Sequence, residues 1–243
     1  MQINKIQIEA FEANLEIARE KLALLTWGNA SAFDAASGLM AIKPSGVAYA
    51  DLTPEKMVVM HVASGEILPV SELKPSSDTA THRALYRAFP GIGGIVHTHS
   101  HRATAWAQAG VDLPCLGTTH ADYFYGSVPC TPPMTEEEIH GSTSNTDGYE
   151  HNTGEVIIRT FRERNIDPLQ IPAVLVHGHA PFVWGIDAAG AVHNAIVLEE
   201  IAGMALATLT IHAQTTAISQ HLLDRHFLRK HGSGAYYGQK NAS

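Results

Sequence analysis

The chain has 243 residues, of which 45% are hydrophobic and 16% are charged, a composition that provides a sizeable core and excludes general disorder. Its formal net charge of −8 excludes a nucleic-acid surface as the main partner. The only two cysteines, Cys115 and Cys130, exclude a disulfide framework and favour a reducing compartment, so we expect a cytoplasmic protein.

The first third of the chain predicts a helix, two short strands and a second helix. Residues 5–23 carry apolar side chains at nearly helical spacing with glutamates between them, which is typical of an amphipathic helix and not of a leader peptide. Apolar runs at 40–43 and 57–62 predict strands. The polar residues 76–79 predict the start of a helix that ends near Phe89.

The remaining chain alternates between apolar runs and helical segments. It has no uninterrupted apolar run of about 18 residues, so we expect no membrane-spanning segment. We predict one α/β domain over 1–243, with a central, mainly antiparallel or mixed sheet covered by helices and a flexible tail from about residue 232. The further elements expected are helices at 102–109, 153–164, 188–213 and 221–231, a helical turn at 135–139, strand and loop at 111–130, and a flexible loop at 140–148.

Two His-x-His pairs stand about eighty residues apart, each after a short apolar run that reads as a buried strand. Residues i and i+2 of a strand share a face, so His97 and His99 can point at one metal ion. A third ligand from the second pair, His177 or His179, would leave a fourth position open, as in catalytic zinc sites. Spacing does not rank these two, although His179 is closer to the loop. One such pair alone is weak evidence among 15 histidines, but two pairs favour a metal site.

Three short polar turns, at 26–29, 44–46 and 76–77, are candidate anion-binding segments. Small residues leave backbone N–H groups open, and a helix N-terminus adds a favourable potential. Turn chemistry explains any one of them, but three beside a metal site predict a phosphorylated small molecule. Asp78 follows at the helix start. The sequence alone favours a capping role for it over a role at the metal.

Two further segments combine titratable and aromatic groups. Asp122 lies in the stretch 117–126. If it is close to the metal, its carboxylate can serve as an acid or a base. The alternative is that the stretch is an ordinary loop and strand edge. The glycine-rich end of the chain carries Tyr236 and Tyr237. Without other information, a disordered end is the simpler interpretation of that tail.

Taken together, these motifs resemble the L-ribulose-5-phosphate 4-epimerases, a family in the class II aldolase superfamily. The resemblance extends over nearly the whole chain. The departure is the polar stretch 141–148, which is longer than in the bacterial enzymes and concerns a surface loop. The matching runs are 25–29, 42–47, 74–79, 93–100, 117–126, 174–179 and 228–239.

The resemblance implies a zinc ion, or another divalent metal, held by His97, His99 and His179, with Asp78 on or beside it. It also implies a small phosphorylated sugar as substrate, and no nucleic-acid or membrane partner. The positions that match the substrate-binding residues of the family are Gly28, Asn29, Lys43, Ser45, Gly46, Ser76 and Ser77.

For the reaction itself, the resemblance implies an acid/base pair formed by Asp122 and Tyr237. Tyr237 is expected from an adjacent subunit of a cyclic homotetramer whose active sites lie at subunit interfaces. Thr118, Glu150 and His226 match further positions near the site, with weaker claims to a direct role.

The implied activity is interconversion of L-ribulose 5-phosphate and D-xylulose 5-phosphate by zinc-assisted retro-aldol and aldol steps at C3–C4. One alternative is an aldolase of the L-fuculose-phosphate type, although those enzymes carry Glu where this chain has Asp78. Another is a non-catalytic interaction module like the adducin head. Such a module has lost the metal ligands, whereas His97, His99 and His179 are all present here.

Overall fold

A six-stranded antiparallel sheet forms the centre of the molecule, with the strands in the order β3-β2-β1-β4-β6-β5. The structure is a computed structural model that describes residues 4–69, 72–141, 148–231 and 235. The strands are β1 (Asn29–Asp34), β2 (Leu39–Ile42), β3 (Val58–His61), β4 (Gly94–His97), β5 (Ala173–Leu175) and β6 (Pro181–Gly185).

Helices cover both faces of the sheet, as expected for a single α/β domain. Two short 3₁₀ segments, Tyr49–Asp51 and Pro54–Lys56, lie between β2 and β3. The α-helices in the described part of the chain are α1 (Lys5–Arg19), α2 (Thr79–Ala88), α3 (His101–Ala109), α4 (Thr118–Ala121), α5 (Glu136–His140), α6 (Gly148–Glu163), α7 (Ala188–Ile211) and α8 (Gln220–His231).

Alternation along the strands divides the core into two layers, because successive side chains point to opposite faces. On β4, Val96 faces the layer formed with α1, α3 and α7, while Ile95 faces the layer formed with α2 and α6. On β2, Ala41 and Met40 divide in the same way. The small alanines on the first face let α1 and α7 pack close to the sheet.

Helix α7 is long and apolar enough, by length and composition, to be a candidate for crossing a membrane. One side of the helix packs against β4 and β6. Gly94 allows the first turn of α7 to approach, because a Cβ atom there would lie 2.4 Å from the Ala188 Cα. The helix also contains the charged pair Glu199 and Glu200, which interrupts its apolar sequence.

Several predicted elements differ from the observed ones. Helix α6 begins at Gly148, five residues before the predicted start, and the stretch 111–130 contains the short helix α4. The second His-x-His pair does not extend a strand, because β5 ends at Leu175 and a tight turn follows. In that turn His179 N–H bonds the Val176 carbonyl. Most of the predicted loop 140–148 and of the tail from 232 lies outside the described residues.

Candidate metal centre and active site

Strands β1, β4 and β6 lie side by side in the sheet. Polar side chains come together at one end of these three strands. Asn29, the first residue of β1, pairs with His97, the last residue of β4. His97 pairs on its other side with Phe182 near the start of β6. Asp78, just before α2, lies at the same end of the strands and accepts a hydrogen bond from Asn29 Nδ2 at 2.6 Å. The start of β1, the end of β4 and the start of β6 therefore lie close together.

Three histidines converge at this end of the strands. One ring nitrogen from each of His97, His99 and His179 lies within 4.8 Å of the other two. The ring centroids are 4.9 to 5.1 Å apart. His177, which the sequence left as an alternative third ligand, does not belong to this group among the described residues. The three rings can therefore hold one metal ion.

The orientation of His97 is fixed by its surroundings. Its Nδ1 donates to the Pro181 carbonyl oxygen at 2.9 Å, and its ring stacks on Phe182 with centroids 4.2 Å apart. Since Nδ1 carries the hydrogen, Nε2 has a lone pair available for a metal. A histidine ligand whose other nitrogen bonds a backbone carbonyl is a common arrangement in metal sites.

The chemical state of the other two rings also suits metal binding. Burial lowers the pKa of His179 to about 4 and also lowers the pKa of His99, so both imidazoles are neutral at neutral pH. Neutral imidazole is the form that binds metal. His179 Nδ1 is buried and makes no hydrogen bond within the described residues. The three histidines thus fit a divalent ion with an open coordination position, as in catalytic sites.

Asp78 occupies the N-cap position of α2 but makes no capping hydrogen bond, so the capping role favoured by the sequence alone is wrong. Its carboxylate instead bonds Asn29 and the Ser76 hydroxyl. Burial disfavours the charged form, but His97, His82 and the Asn29 hydrogen bond outweigh it and hold the pKa of Asp78 below its ordinary value. Asp78 lies outside the three-histidine group, and direct ligation stays a prediction.

A cavity of about 570 Å³ opens above the histidines. It brings together the candidate metal ligands and all seven residues predicted to bind substrate, while their individual roles stay predictions. The lining residues are Thr26, Trp27, Gly28, Asn29, Lys43, Pro44, Ser45, Gly46, Ser76, Ser77, Asp78, His97, His99, Tyr149, Glu150 and His179.

Two of the polar turns are bound to each other. Ser45 N–H bonds the Lys74 carbonyl at 2.9 Å, and Ser76 N–H bonds the Lys43 carbonyl at 3.0 Å. These two N–H groups are therefore not open to an anion, contrary to the general expectation for the turns. The pairing holds the exposed residues Ser45 and Ser77 on one wall of the cavity, beside the space for a ligand.

Gly28 connects the third turn to the metal centre. Its φ of +73° lies in the left-handed region that favours glycine. A Cβ atom at this position would stand 2.7 Å from the His97 carbonyl oxygen. The Tyr49 hydroxyl donates to the Trp27 and Gly28 carbonyls, at 2.7 and 3.0 Å. The turn is thus held against the strand that carries His97.

Lys43 provides a buried positive charge in the cavity wall. The residue is only 2% exposed, and burial lowers the pKa of its ammonium group. Its Nζ lies 3.4 Å from the Pro44 carbonyl and 5.1 Å from the centroid of the Tyr49 ring. No carboxylate pairs with it within the described ranges. A cation in this state favours an anionic ligand.

Tyr149 is a lining residue that the sequence did not indicate. It lies in the first turn of α6, and its ring centroid is 6.2 Å from that of His179. Since the predicted helix began at residue 153, nothing in the pattern pointed Tyr149 toward the site. Its neighbour Glu150, implied only weakly by the resemblance, also lines the cavity.

Asp122 does not line the cavity in this chain. It lies at the end of α4 against α8, where its carboxylate accepts hydrogen bonds from His226 at 3.0 Å and Arg229 at 2.9 Å. Lys230 Nζ is 3.5 Å away, and His231 bonds the Asp122 carbonyl. Burial disfavours the charged form, but His226, Arg229 and Lys230 hold its pKa below the ordinary value. Its predicted partner, Tyr237, lies outside the described residues.

Residues 8–206 match the class II aldolase and adducin N-terminal domain. This match covers most of the chain, and the protein therefore belongs to the class II aldolase/adducin family. The three-histidine group agrees with the use of a divalent metal by class II aldolases.

Solved structures support the same fold. An L-fuculose 1-phosphate aldolase superposes with a TM-score of 0.74 at 20% identity and covers 93% of this chain and 96% of its own. YgbL from Klebsiella pneumoniae, described as an aldolase/epimerase/decarboxylase, superposes with a TM-score of 0.70 at 23% identity. This match covers 93% of this chain and 99% of YgbL. The L-fuculose-1-phosphate aldolase from Thermus thermophilus gives 0.64 at 23% identity, with 87% and 98% covered. At these identities the similarity establishes the fold alone.

The two members of the second His-x-His pair provide a matched test of the metal centre. We expect His179→Asn to lose most bound metal, from about one ion per chain to below roughly a tenth, because a three-ligand site then has only two. His177→Asn is the control and should retain the wild-type metal content. Metal analysis after dialysis against one equivalent of Zn²⁺ measures both. Equal metal content in the two variants would contradict the assignment.

The ionised state of Asp122 predicts a pH-dependent contribution to stability. Asp122→Asn should lower the free energy of unfolding at pH 7 by about 2 kcal/mol, since it removes hydrogen bonds to a charged group. Because the folded pKa lies below the ordinary 3.8, this contribution is complete well above pH 3.8 and is lost as the pH falls through the lower folded value.

Urea unfolding of both proteins between pH 7 and the lowest pH at which they fold, at one protein concentration, measures this difference. The exposed Asp51→Asn is the control, with an expected change below about 0.5 kcal/mol. A difference between wild type and Asp122→Asn that grows as the pH falls would refute the ion-pair interpretation.

Proposed function

We propose that the protein is a metal-dependent epimerase that interconverts L-ribulose 5-phosphate and D-xylulose 5-phosphate. The observation that carries this proposal is the convergence of His97, His99 and His179 at the base of a cavity whose wall contains Lys43. Such a site suits a sugar that bears a carbonyl group at one end and a phosphate at the other. We propose zinc as the metal, because three imidazole ligands and an open position are its usual catalytic environment.

A ketopentose phosphate cannot be inverted at C4 by simple removal of the C4 hydrogen, since that carbon is not adjacent to the C2 carbonyl. Cleavage and re-formation of the C3–C4 bond solve the problem. The C4 hydroxyl loses its proton to a base, the electrons of the C3–C4 bond move to the three-carbon fragment, and glycolaldehyde phosphate forms. Rotation of this aldehyde before the bond forms again inverts C4.

The residues of the cavity divide this task. A divalent ion held by His97, His99 and His179 would act as a Lewis acid toward the C2 carbonyl oxygen. Lys43 supplies a positive charge toward the oxygens that become negative during cleavage, and its burial makes this charge more effective than it would be in water.

The polar turns have a second task, to retain the aldehyde fragment while it rotates. Gly28, Gly46, Ser45 and Ser77 line the cavity, where the glycines offer backbone N–H donors and the serines offer hydroxyl donors. A phosphate held there anchors the fragment at one end and leaves the aldehyde free to present either face. Loss of this anchor would turn an epimerase into an aldolase.

Two proton-transfer groups on opposite sides of the aldehyde are needed, one for each direction of attack. We propose Asp122 and Tyr237 for these roles. The contacts of Asp122 with His226 and Arg229 favour its ionised carboxylate, which is the form that acts as a base. Because Asp122 stands apart from the cavity of its own chain, we propose that this pair serves the cavity of an adjacent subunit.

Such sharing requires an oligomer, and we propose a cyclic homotetramer. Helix α7 supports this proposal through large apolar side chains that remain exposed, with Met204 at 50%, Leu206 at 54% and Ile211 at 86%. Exposed apolar patches of this kind mark interfaces. Both cysteines are free and buried, which agrees with the reducing compartment proposed for the protein, the cytoplasm.

An aldolase acting on a phosphorylated sugar is the second candidate, favoured by the structural similarity to L-fuculose 1-phosphate aldolases. We prefer the epimerase because the carboxylate beside the histidines is the shorter Asp78 and because Asp122 is held ionised next to the helix that leads to Tyr237. The complete histidine group disfavours a non-catalytic module.

A product analysis separates the two activities. Incubation with L-ribulose 5-phosphate should yield D-xylulose 5-phosphate in at least about tenfold excess over free glycolaldehyde phosphate, a partition equivalent to roughly 1.4 kcal/mol. Chelator should abolish turnover, and Zn²⁺ should restore it. Accumulation of the free aldehyde as the main product would identify an aldolase instead, and full activity after chelation would exclude the metal-dependent mechanism.

Mixed oligomers test the proposed sharing of active sites. His97→Asn lacks a metal ligand and Tyr237→Phe lacks the tail hydroxyl, so each homo-oligomer should be inactive or slow. In randomly mixed tetramers, roughly a quarter of the sites would combine an intact metal centre with an intact neighbouring tail. Activity should therefore return to about a quarter of the wild-type value. Verified mixed tetramers without any regained activity would show that both groups act within one chain.

A further inference from the structure

A buried tyrosine behind the cavity wall contacts two separate parts of the predicted anion site. Tyr49 is 8% exposed and is the first residue of the 3₁₀ segment that follows β2. Its hydroxyl donates to the Trp27 carbonyl at 2.7 Å and to the Gly28 carbonyl at 3.0 Å, so the two carbonyls share its one hydrogen. The centroid of its ring is 5.1 Å from Lys43 Nζ. One side chain therefore connects the turn 26–29 to the buried ammonium group.

The backbone around this turn adopts a conformation that its sequence does not favour. Leu25, just before the turn, has a φ of +55°, and Gly28 has a φ of +73°. The left-handed region is open to glycine, but it is uncommon for leucine because the Cβ atom crowds the backbone. Leu25 is also 74% exposed, so its side chain gains little from packing. A contact from elsewhere in the fold stabilises such a turn, and the Tyr49 hydroxyl makes one.

The hydrogen bonds to Tyr49 also set the direction of two backbone N–H groups. In a trans peptide unit, the C=O and the N–H that follows it point in opposite directions. The Trp27 carbonyl shares a peptide unit with the Gly28 N–H, and the Gly28 carbonyl shares one with the Asn29 N–H. Because both carbonyls are held toward the Tyr49 hydroxyl, both N–H groups point away from it.

The Gly28 N–H is the group that this orientation leaves available for a ligand. It makes no hydrogen bond within the described residues. The N–H groups of Ser45 and Ser76, in the other two turns, are already bonded to backbone carbonyls. Among the described residues, Gly28 lines the cavity and Tyr49 does not. The turn 26–29 therefore retains a backbone donor at the cavity, and a residue outside the cavity sets its direction.

The ring of Tyr49 acts on the second part of the anion site. Burial lowers the pKa of Lys43, which disfavours its charged form. The negative face of an aromatic ring attracts a cation and opposes this effect. Lys43 Nζ otherwise lies 3.4 Å from the Pro44 carbonyl. The same tyrosine thus orients a backbone donor with its hydroxyl and favours the ammonium form of Lys43 with its ring.

We propose that Tyr49 is a positioning residue for the anion site, where its hydroxyl directs the Gly28 N–H to a bound phosphate and its ring holds Lys43 Nζ beside it. The ligand class is a phosphate monoester, so this proposal rests on the proposed function. Phosphate affinity then depends on a side chain that does not contact the phosphate. Metal affinity does not, because the Tyr49 hydroxyl bonds the turn 26–29 and not a metal ligand.

Tyr49→Phe removes only the hydroxyl and retains the ring beside Lys43. We expect this variant to bind inorganic phosphate at least about fivefold more weakly, because the hydrogen bonds that hold the donor in place are lost. Calorimetric titration of the metal-loaded protein measures this affinity. In turnover of L-ribulose 5-phosphate, KM should rise by a similar factor while kcat changes by less than about twofold, since phosphate binding is the same in substrate and transition state.

The position of the phosphate is checked with the Co²⁺-loaded protein. Its visible spectrum should stay unchanged during the phosphate titration, because the ion binds at the turn and not at the metal. A spectrum that changes with the same affinity would place the phosphate on the metal and would overturn the site.

Tyr86→Phe is the matched control for a buried tyrosine. Tyr86 is 5% exposed, and its hydroxyl contacts the Ser31 hydroxyl at 2.7 Å and the Ser31 carbonyl at 3.2 Å. Tyr86 does not line the cavity among the described residues. Both substitutions should lower the unfolding temperature and leave the Zn²⁺ affinity within about twofold of wild type. Only Tyr49→Phe should change the phosphate affinity and KM.

The outcomes separate this proposal from the proposed function. A wild-type protein that binds neither inorganic phosphate nor L-ribulose 5-phosphate would overturn both. Wild-type phosphate binding that Tyr49→Phe leaves unchanged, or that Tyr86→Phe weakens equally, would overturn the role of Tyr49 alone. If Tyr49→Phe does not fold, a crystal structure of the wild type with phosphate decides the matter. A phosphate oxygen within hydrogen-bond distance of the Gly28 N–H supports the proposal, and a phosphate bound away from Gly28 overturns it.

Discussion

The antiparallel pairing of β4 with β1 and β6 is the constraint on which the site depends. It sets His97 between Asn29 and Phe182, and it brings the Pro181 carbonyl within 2.9 Å of His97 Nδ1. A shift of the register by one residue would turn His97 to the opposite face, since side chains alternate along a strand. The orientation of the first ligand is therefore a property of the sheet and not of a loop.

Burial and nearby charges set the protonation states of the side chains at this end of the strands. The cavity contains a buried lysine and an ionised aspartate, together with histidines that burial keeps neutral. Lys43 and Asp78 do not form an ion pair, although they line the same cavity. A site that keeps its charges separated in this way retains separate positions for a cation and for the negative groups of a substrate. This separation suits the phosphorylated ketose proposed as the substrate.

The sequence predicted the fold class and most elements because their apolar periodicity is strong, as in α1, α7 and the strands near the two histidine pairs. It also indicated most of the residues that surround the cavity, with the exception of Tyr149, since short polar turns and His-x-His spacing are local signals. The choice between His177 and His179 was not decidable from spacing, because it depends on a turn after β5.

Other features depend on contacts between distant segments. Asp78 does not cap α2, because its carboxylate accepts a hydrogen bond from Asn29, 49 residues earlier in the chain. The early start of α6, which brings Tyr149 to His179, also had no local signal, because the residues before it are polar and glycine-rich. Long-range hydrogen bonds and tertiary packing override local preference in both cases.

The close approach of Gly28 to the His97 backbone has a consequence for the range of substrates. Since no side chain fits between them, the turn predicted to bind an anion and the strand that carries His97 are packed directly against each other. This packing limits the length of a ligand that must reach both of them. Homologues that accept longer or shorter sugars should therefore differ on the opposite wall, where α6 contributes Tyr149 and Glu150, while this turn stays the same.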